Sequence, residues 1–230
     1  MRKPGKPLNR IESIREFLLP PREKIIGILK LLNLNEKKIK HSIAVADLSL
    51  KIADEIKRVD GIEADRKIVE AGALLHDVGL AMTFDDLSPE HSVIGADIIR
   101  KVGLPERVAK CAEAHEMAGG LSRKVAEELK FPVYPLKDDY SPSTLEEEIV
   151  TAADLFQYLL IEAPEEFGYK KYDPWEDPEG CKEALFSYCR DVYKKKLNKE
   201  LTMNEAAPML EKGYEICREF VKYVKPNLVE

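Results

Sequence analysis

Apolar residues recur every three to four positions along nearly the whole chain, and no stretch keeps the strict alternation of a strand. The pattern predicts an all-α fold. Ile11 to Leu19 predicts a short helix closed by Pro20-Pro21, and Ile25, Ile26, Leu29 and Leu32 mark the apolar face of the next. Asn35 is placed to cap a long helix from Glu36 to about Arg58, with Ala44, Val45, Leu48 and Ile52 as its stripe and Gly61 as its break. Asp65 or Arg66 opens a helix that runs apolar into His76-Asp77 and stops at Gly79. Ser88 and Pro89 are a favourable helix start, which puts His91 in a first turn, and Gly103 ends that helix.

Pro105 begins a helix to about Ala118, with His115 near its end, and Ser122 to Lys130 reads as a short polar helix. After a proline-rich loop, Ser143-x-x-Glu146 has the spacing of a capping box for a helix from Ser143 to Ile161, with Asp154 amid Val150, Ala153 and Phe156. Residues 163–180, rich in Pro, acidic and aromatic residues, predict an ordered loop or lid. Two amphipathic helices, about Lys182 to Leu197 and Asn204 to Val224, complete the pattern. The expected organisation is N-terminal helices (1–35) packed on a helical domain (36–162), with a loop and helical extension (163–230) of the same domain.

Composition narrows the classes. At 44% hydrophobic and 34% charged, the 230 residues can bury a core and stay in solution. No apolar run reaches about 18 residues, so no membrane span is expected. The basic N-terminus lacks an apolar signal segment, so the expected location is cytoplasmic. A net charge of −6 argues against broad nucleic-acid binding. The four cysteines form no Cys-x-x-Cys pair, which argues against a zinc ribbon and fits a reducing compartment, and Cys189 and Cys217 read as small core residues.

The chemistry lies in the histidines. All four, His41, His76, His91 and His115, fall on or beside apolar helix faces. One histidine so placed is ordinarily a satisfied core residue. Four of four, with Asp77 beside His76 and Asp154 mid-helix, require an account of several costly buried polar groups. Shared coordination of a metal supplies one, and imidazole with carboxylate suits Fe, Mn, Zn or Ni.

The ordered set His41-Ser-Ile-Ala-Val-Ala, Ala73-Leu-Leu-His-Asp-Val-Gly and Ile149-Val-Thr-Ala-Ala-Asp154 resembles the HD-domain superfamily of metal-dependent phosphohydrolases over about Glu36 to Tyr158. Glu90-His91-Ser-Val-Ile-Gly and the run from Leu104 to His115 resemble its branch with two extra histidines, which holds two metals. That branch includes symmetrical dinucleoside tetraphosphatases and cyclic dinucleotide phosphodiesterases. The run from Pro142 to Asp154 is similar to uncharacterised archaeal HD hydrolases. The resemblance implies an HD-domain helical bundle and two divalent transition metal ions (Fe, Mn, Co, Ni or Zn). It puts His41, His76, Asp77 and Asp154 around one metal and His91 and His115 around the other, with Asp77 bridging.

His76 and Asp77 are then the residues on which catalysis depends. Two metals ~3.5–4 Å apart share a hydroxide that can attack phosphorus, and leave positions open for substrate. The expected reaction is hydrolysis of a phosphate ester or anhydride of a nucleotide or related small molecule. Two alternatives stay open: a non-haem di-iron oxygenase-like enzyme, and a non-catalytic regulatory domain that binds metal and nucleotide.

Leu80 departs from many relatives, which carry Lys or Arg there, so substrate charge must be met elsewhere. Thr83, Arg123 and Lys124 are the substrate-binding candidates, each also readable as a solvated surface residue. Asp85-Asp86 are candidate partners for the ligand histidines or solvated loop charges. Lys137 to Tyr140 with Tyr169, Tyr172 and Trp175 either wall a base-stacking pocket or pack the extension onto the core. The helices after Lys182 offer either a homodimer interface or a lid.

Overall fold

The computed structural model describes residues 10–83, 90–128, 139–168, 172–173, 175–177, 180–197, 200 and 202–224. Its helices are α1 (Arg10–Phe17), α2 (Arg22–Leu31), α3 (Glu36–Asp60), α4 (Arg66–Leu75), α5 (Glu90–Lys101), α6 (Glu106–Ala114), α7 (Glu116–Gly119), α8 (Arg123–Glu128), α9 (Leu145–Gln157), α10 (Ala163–Phe167), α11 (Cys181–Leu197) and α12 (Met203–Phe220). A 3-10 turn, Val78–Ala81, follows α4, and a π-helical turn, Tyr158–Glu162, joins α9 to α10. The fold is all-α, with no strand among the described residues.

The caps explain where the central helices begin and end. Asn35 accepts from Lys38 N at 2.8 Å to start α3, and Gly61 ends it in the left-handed region at φ 68°, which a glycine adopts without Cβ strain. Asp65 accepts from Lys67 N and Ile68 N to start α4. Helix α3 is the axis of the molecule. It packs on α4 and α9, with α6 behind α4 and α5 against both α6 and the 3-10 turn. Ile52, Ile56, Ile68, Leu74, Ile149 and Phe156 fill the space between these helices and are fully buried. Truncating one of them to Ala costs about 2–5 kcal/mol. Helix α12 closes the bundle by packing on α7, α9 and α11.

Arg107 ties the periphery together, pairing with Glu16 of α1 at 3.2 Å, the α4 cap Asp65 at 3.1 Å and Glu146 of α9 at 3.0 Å. Those pairs explain why the capping box of α9 stands one residue later than expected. Glu146 is engaged by Arg107 and by Asp65 N, so Thr144 caps instead, and Glu147 accepts from Ser143 N at 2.7 Å.

Other boundaries also differ. The helix predicted from Pro105 to Ala118 is interrupted at His115. The predicted loop 163–180 begins with α10, ended by Gly168 at φ 70°. The indole N–H of Trp175 donates to Val224 O, a bond within the extension, and Trp175 and Tyr172 both pack against the hydrophobic core. Cys217 is not a free core thiol: Cys181 and Cys217 form a disulfide between α11 and α12, against the expectation of reduced cysteines. Asp85, Asp86, the cap Ser88, Pro89, Lys137, Asp138 and Tyr169 lie outside the described residues. No helix among the described residues is long and apolar enough to cross a membrane.

Candidate metal centre

Two helices end in the same way. At the end of α4, His76 Nδ1 donates to Ala73 O at 2.6 Å. At the end of α6, His115 Nδ1 donates to Ala112 O at 2.8 Å. In each case the imidazole meets a carbonyl that the last helical turn leaves without an N–H partner. The carbonyl can only accept, so the N–H is fixed on Nδ1 and the Nε2 lone pair points away from the helix. The two rings meet edge to face with centroids 4.7 Å apart, and one ligand atom of each lies within 4.8 Å of the other and of an Asp154 oxygen.

Asp77, two residues past the end of α4, stands between two groups of ligand-type atoms. Its Oδ2 faces His76 Nε2 at 3.6 Å and His41 Nε2 at 3.8 Å. Asp154 completes that side, with Oδ1 3.0 Å from His41 Nε2 and 3.6 Å from His76 Nε2. The other oxygen, Oδ1, faces His91 Nε2 at 3.2 Å and His115 Nε2 at 3.6 Å. The six residues proposed from sequence as ligands thus lie in one cluster, in overlapping groups whose donor atoms are all within 4.8 Å of one another. His76 is fully buried and Asp77, His41, His91 and His115 nearly so.

Three further charged residues touch the cluster and were not singled out from sequence. Glu162 accepts from His41 Nδ1 at 2.6 Å. In a straight α-helix, residues 154 and 162 would lie about 80° apart around the axis. The wider π turn before Glu162 brings them closer to one line, so both carboxylates reach His41. Glu116 stands 3.2 Å from His91 Nε2, and Lys38 Nζ is 3.2 Å from Asp77 Oδ2. Glu116 adjoins His115, and Lys38 precedes His41 by one helical turn, so proximity to a histidine was the available signal.

Of the substrate candidates, Thr83 follows the 3-10 turn with its hydroxyl buried and no hydrogen-bond partner among the described residues. Arg123 and Lys124 are exposed at the start of α8, which packs on α12, and none of the cluster contacts described above involves them. Leu80 is buried in the core.

The electrostatics are those of a site for cations. Burial disfavours the charged form of His41, but the Asp154 and Glu162 carboxylates outweigh it and raise its pKa to about 10. Burial holds His76 neutral, at about 4. Burial opposes ionisation of Asp154 too, yet His41 and His76 bring it down to about 2, and Lys38 with the histidines holds Asp77 well below its ordinary value.

The donor set fits divalent ions. Nε2 atoms face one another at 3.2 Å for His41 and His76 and at 3.1 Å for His91 and His115. Each such pair can share at most one proton, while a cation can satisfy both lone pairs. Four carboxylates, Asp77, Asp154, Glu116 and Glu162, also exceed the positive charge of Lys38 and a protonated His41.

Residues 39–159 match the model of the HD domain family. An uncharacterised protein of Methanocaldococcus jannaschii is 40% identical over 132 residues, which span 57% of this chain and 72% of that protein. A tRNA (cytidine(56)-2'-O)-methyltransferase of Picrophilus torridus is 33% identical over 64% of this chain and 39% of its own length. A dihydroneopterin 2',3'-cyclic phosphate phosphodiesterase of M. jannaschii is 31% identical over 34% of this chain and 35% of its own length. With a match that covers more than half of its residues, including His41, the His76-Asp77 pair and Asp154, the chain belongs to the HD domain family.

Proposed function

We propose that this chain is a metal-dependent phosphohydrolase that cleaves a phosphate ester or anhydride of a nucleotide or related small molecule. The observation that carries the reading is Asp77, whose two carboxylate oxygens each face a separate pair of imidazoles. A carboxylate so placed can hold two ions side by side. His41, His76, Asp77 and Asp154 would hold one. Asp77, His91, His115 and the newly recognised Glu116 would hold the other. When bound, two divalent ions supply Lewis acidity toward a phosphoryl oxygen and lower the pKa of water toward neutrality.

The protein's own contribution is positional. The backbone carbonyls of Ala73 and Ala112 fix the His76 and His115 tautomers, and Glu162 orients His41 through Nδ1, as partners behind a ligating imidazole do. Asp154 and Glu162, about a fifth exposed, border the side from which a substrate can enter, while His76 closes the floor. The phosphodiesterase relative supports hydrolysis of a phosphate ester. The cluster of imidazoles and carboxylates favours that over the methyl transfer named for the Picrophilus protein, of which well under half aligns.

The test is elemental analysis combined with a nucleotide and phosphodiester panel assayed with Mn, Fe, Co and Ni. We expect two metals per chain and hydrolysis that proceeds without oxygen. Asp77→Ala should remove both metals and abolish turnover, and His115→Ala should lower the content to about one. Full activity in Asp77→Ala would sink the assignment. Turnover that requires oxygen would favour the di-iron oxygenase alternative.

A further inference from the structure

Where the cluster meets solvent, three of the described side chains are acidic. Asp154, Glu162 and Glu116 are each about one-fifth exposed there. An anionic substrate would meet three carboxylates on the way in. Lys38 is a cation at that border, with a side chain one-quarter exposed and its ammonium 3.2 Å from Asp77 Oδ2. Leu80 is buried and uncharged, so the turn after His76-Asp77 contributes no positive charge here.

Lys38 contacts the same Asp77 oxygen that faces His41 and His76. A divalent ion held by those imidazoles would draw on that oxygen's negative charge and repel the ammonium, and so would weaken the Lys38–Asp77 pair. The lysine is anchored in the first turn of α3, three residues before His41, so its backbone position does not depend on the ion. Its flexible four-carbon stem lets the ammonium move off Asp77 while staying at the border.

We propose that Lys38 is the residue that binds the substrate's phosphate, pairing with a phosphoryl oxygen when metal occupies Asp77. This deepens the hydrolase reading and rests on it for the identity of the site. Lys38 exchanges one anion for another: Asp77 without metal, phosphate with it. It positions the phosphoryl group over the cluster and offsets the repulsion from Asp154 and Glu162.

The test uses the full chain loaded with Mn, with inorganic phosphate as the probe, measured by calorimetric titration beside metal analysis. Lys38→Met should keep two metals per chain and bind phosphate at least tenfold more weakly, with KM for a hydrolysed ester rising more than kcat falls. Lys38→Arg should restore most of the phosphate affinity. Unchanged phosphate affinity in Lys38→Met would overturn the proposal. So would loss of metal in that variant, since Lys38 would then serve only to organise Asp77. Failure of phosphate to bind the Mn-loaded wild type would overturn it too. A wild type that holds two metals and hydrolyses no phosphate compound would defeat the hydrolase reading alone, and the phosphate titration would still judge Lys38.

Discussion

Gly79→Ala offers a demanding test of how the two halves of the cluster are joined. Gly79 sits in the 3-10 turn two residues after Asp77, where the first turn of α5 crosses it. A Cβ there would lie 2.7 Å from Gly95 N and 2.8 Å from the carbonyl carbon of His91, and nearer still to the His91 oxygen, whereas ordinary contact starts at 3.4 Å. All three neighbours are backbone atoms, so no side chain can swing aside. The first turn of α5 must retreat by about 1 Å, at an overpacking cost of about 1–3 kcal/mol.

His91 rides on that turn, with Nε2 3.2 Å from Asp77 Oδ1. The retreat therefore opens the His91–His115 half, while the half built from α3, α4 and α9 keeps its contacts. We expect a melting temperature lower by roughly 3–9 °C, a metal content falling toward one per chain, and turnover reduced by about 100-fold, the scale of a 1 Å misplacement. Gly27→Ala, where an added Cβ meets nothing within 4 Å, is the control and should leave all three unchanged or raise stability slightly. Two metals and wild-type turnover in Gly79→Ala would refute the claim that this crossing holds His91 in register.

Other expectations follow from the same packing. The Cys181–Cys217 link closes a separation of 36 residues, worth about 3–4 kcal/mol by loop entropy; thermal melts with and without reductant should differ by roughly 10 °C, and Cys181→Ser should reproduce the reduced value. Arg107→Met leaves Glu16, Asp65 and Glu146 facing one another without their cation, so urea unfolding should show a loss of about 1–3 kcal/mol, while metal content is kept. Burial pushes the Cys111 thiol well above its ordinary pKa; the folded protein should leave it unmodified by iodoacetamide at pH 8, and alkylation should appear only on denaturation.

Much of this was legible in the chain. Asn35, Gly61 and Asp65 mark their helix ends through contacts within a few residues, and that is why local patterning found them. The four histidines stood out because the residue is scarce here and each falls on or beside an apolar face, and the resemblance to HD-domain proteins joined them with Asp77 and Asp154 into one ligand set. What escaped depends on distant partners. Ser143-Glu146 and Thr144-Glu147 fit the same capping spacing, and Arg107, remote in sequence, decides between them. Glu162 looks like any charged residue on a helix surface until the π turn changes its direction. Lys38 sits in a run of lysines whose solvated and site-facing members have the same composition. Cys181 and Cys217 lack a short spacing motif because two packed helices, not a loop, bring them together.

The Nδ1 bonds from His76 to Ala73 O and from His115 to Ala112 O have a consequence for how this family member can change over time. Each ring takes its direction from the end of its own helix, so helix length acts as an angular gauge for the cluster. One residue inserted into α4 would turn His76 and Asp77 together by about 100° away from His41 and Asp154, and one inserted into α6 would turn His115 as far from Asp77, even if the hydrophobic face reformed. Substitutions along these helices can be absorbed one contact at a time, but a change in their length cannot. Lineages descended from such a chain should therefore drift in the identity of residues in α4 and α6 while their residue count stays fixed.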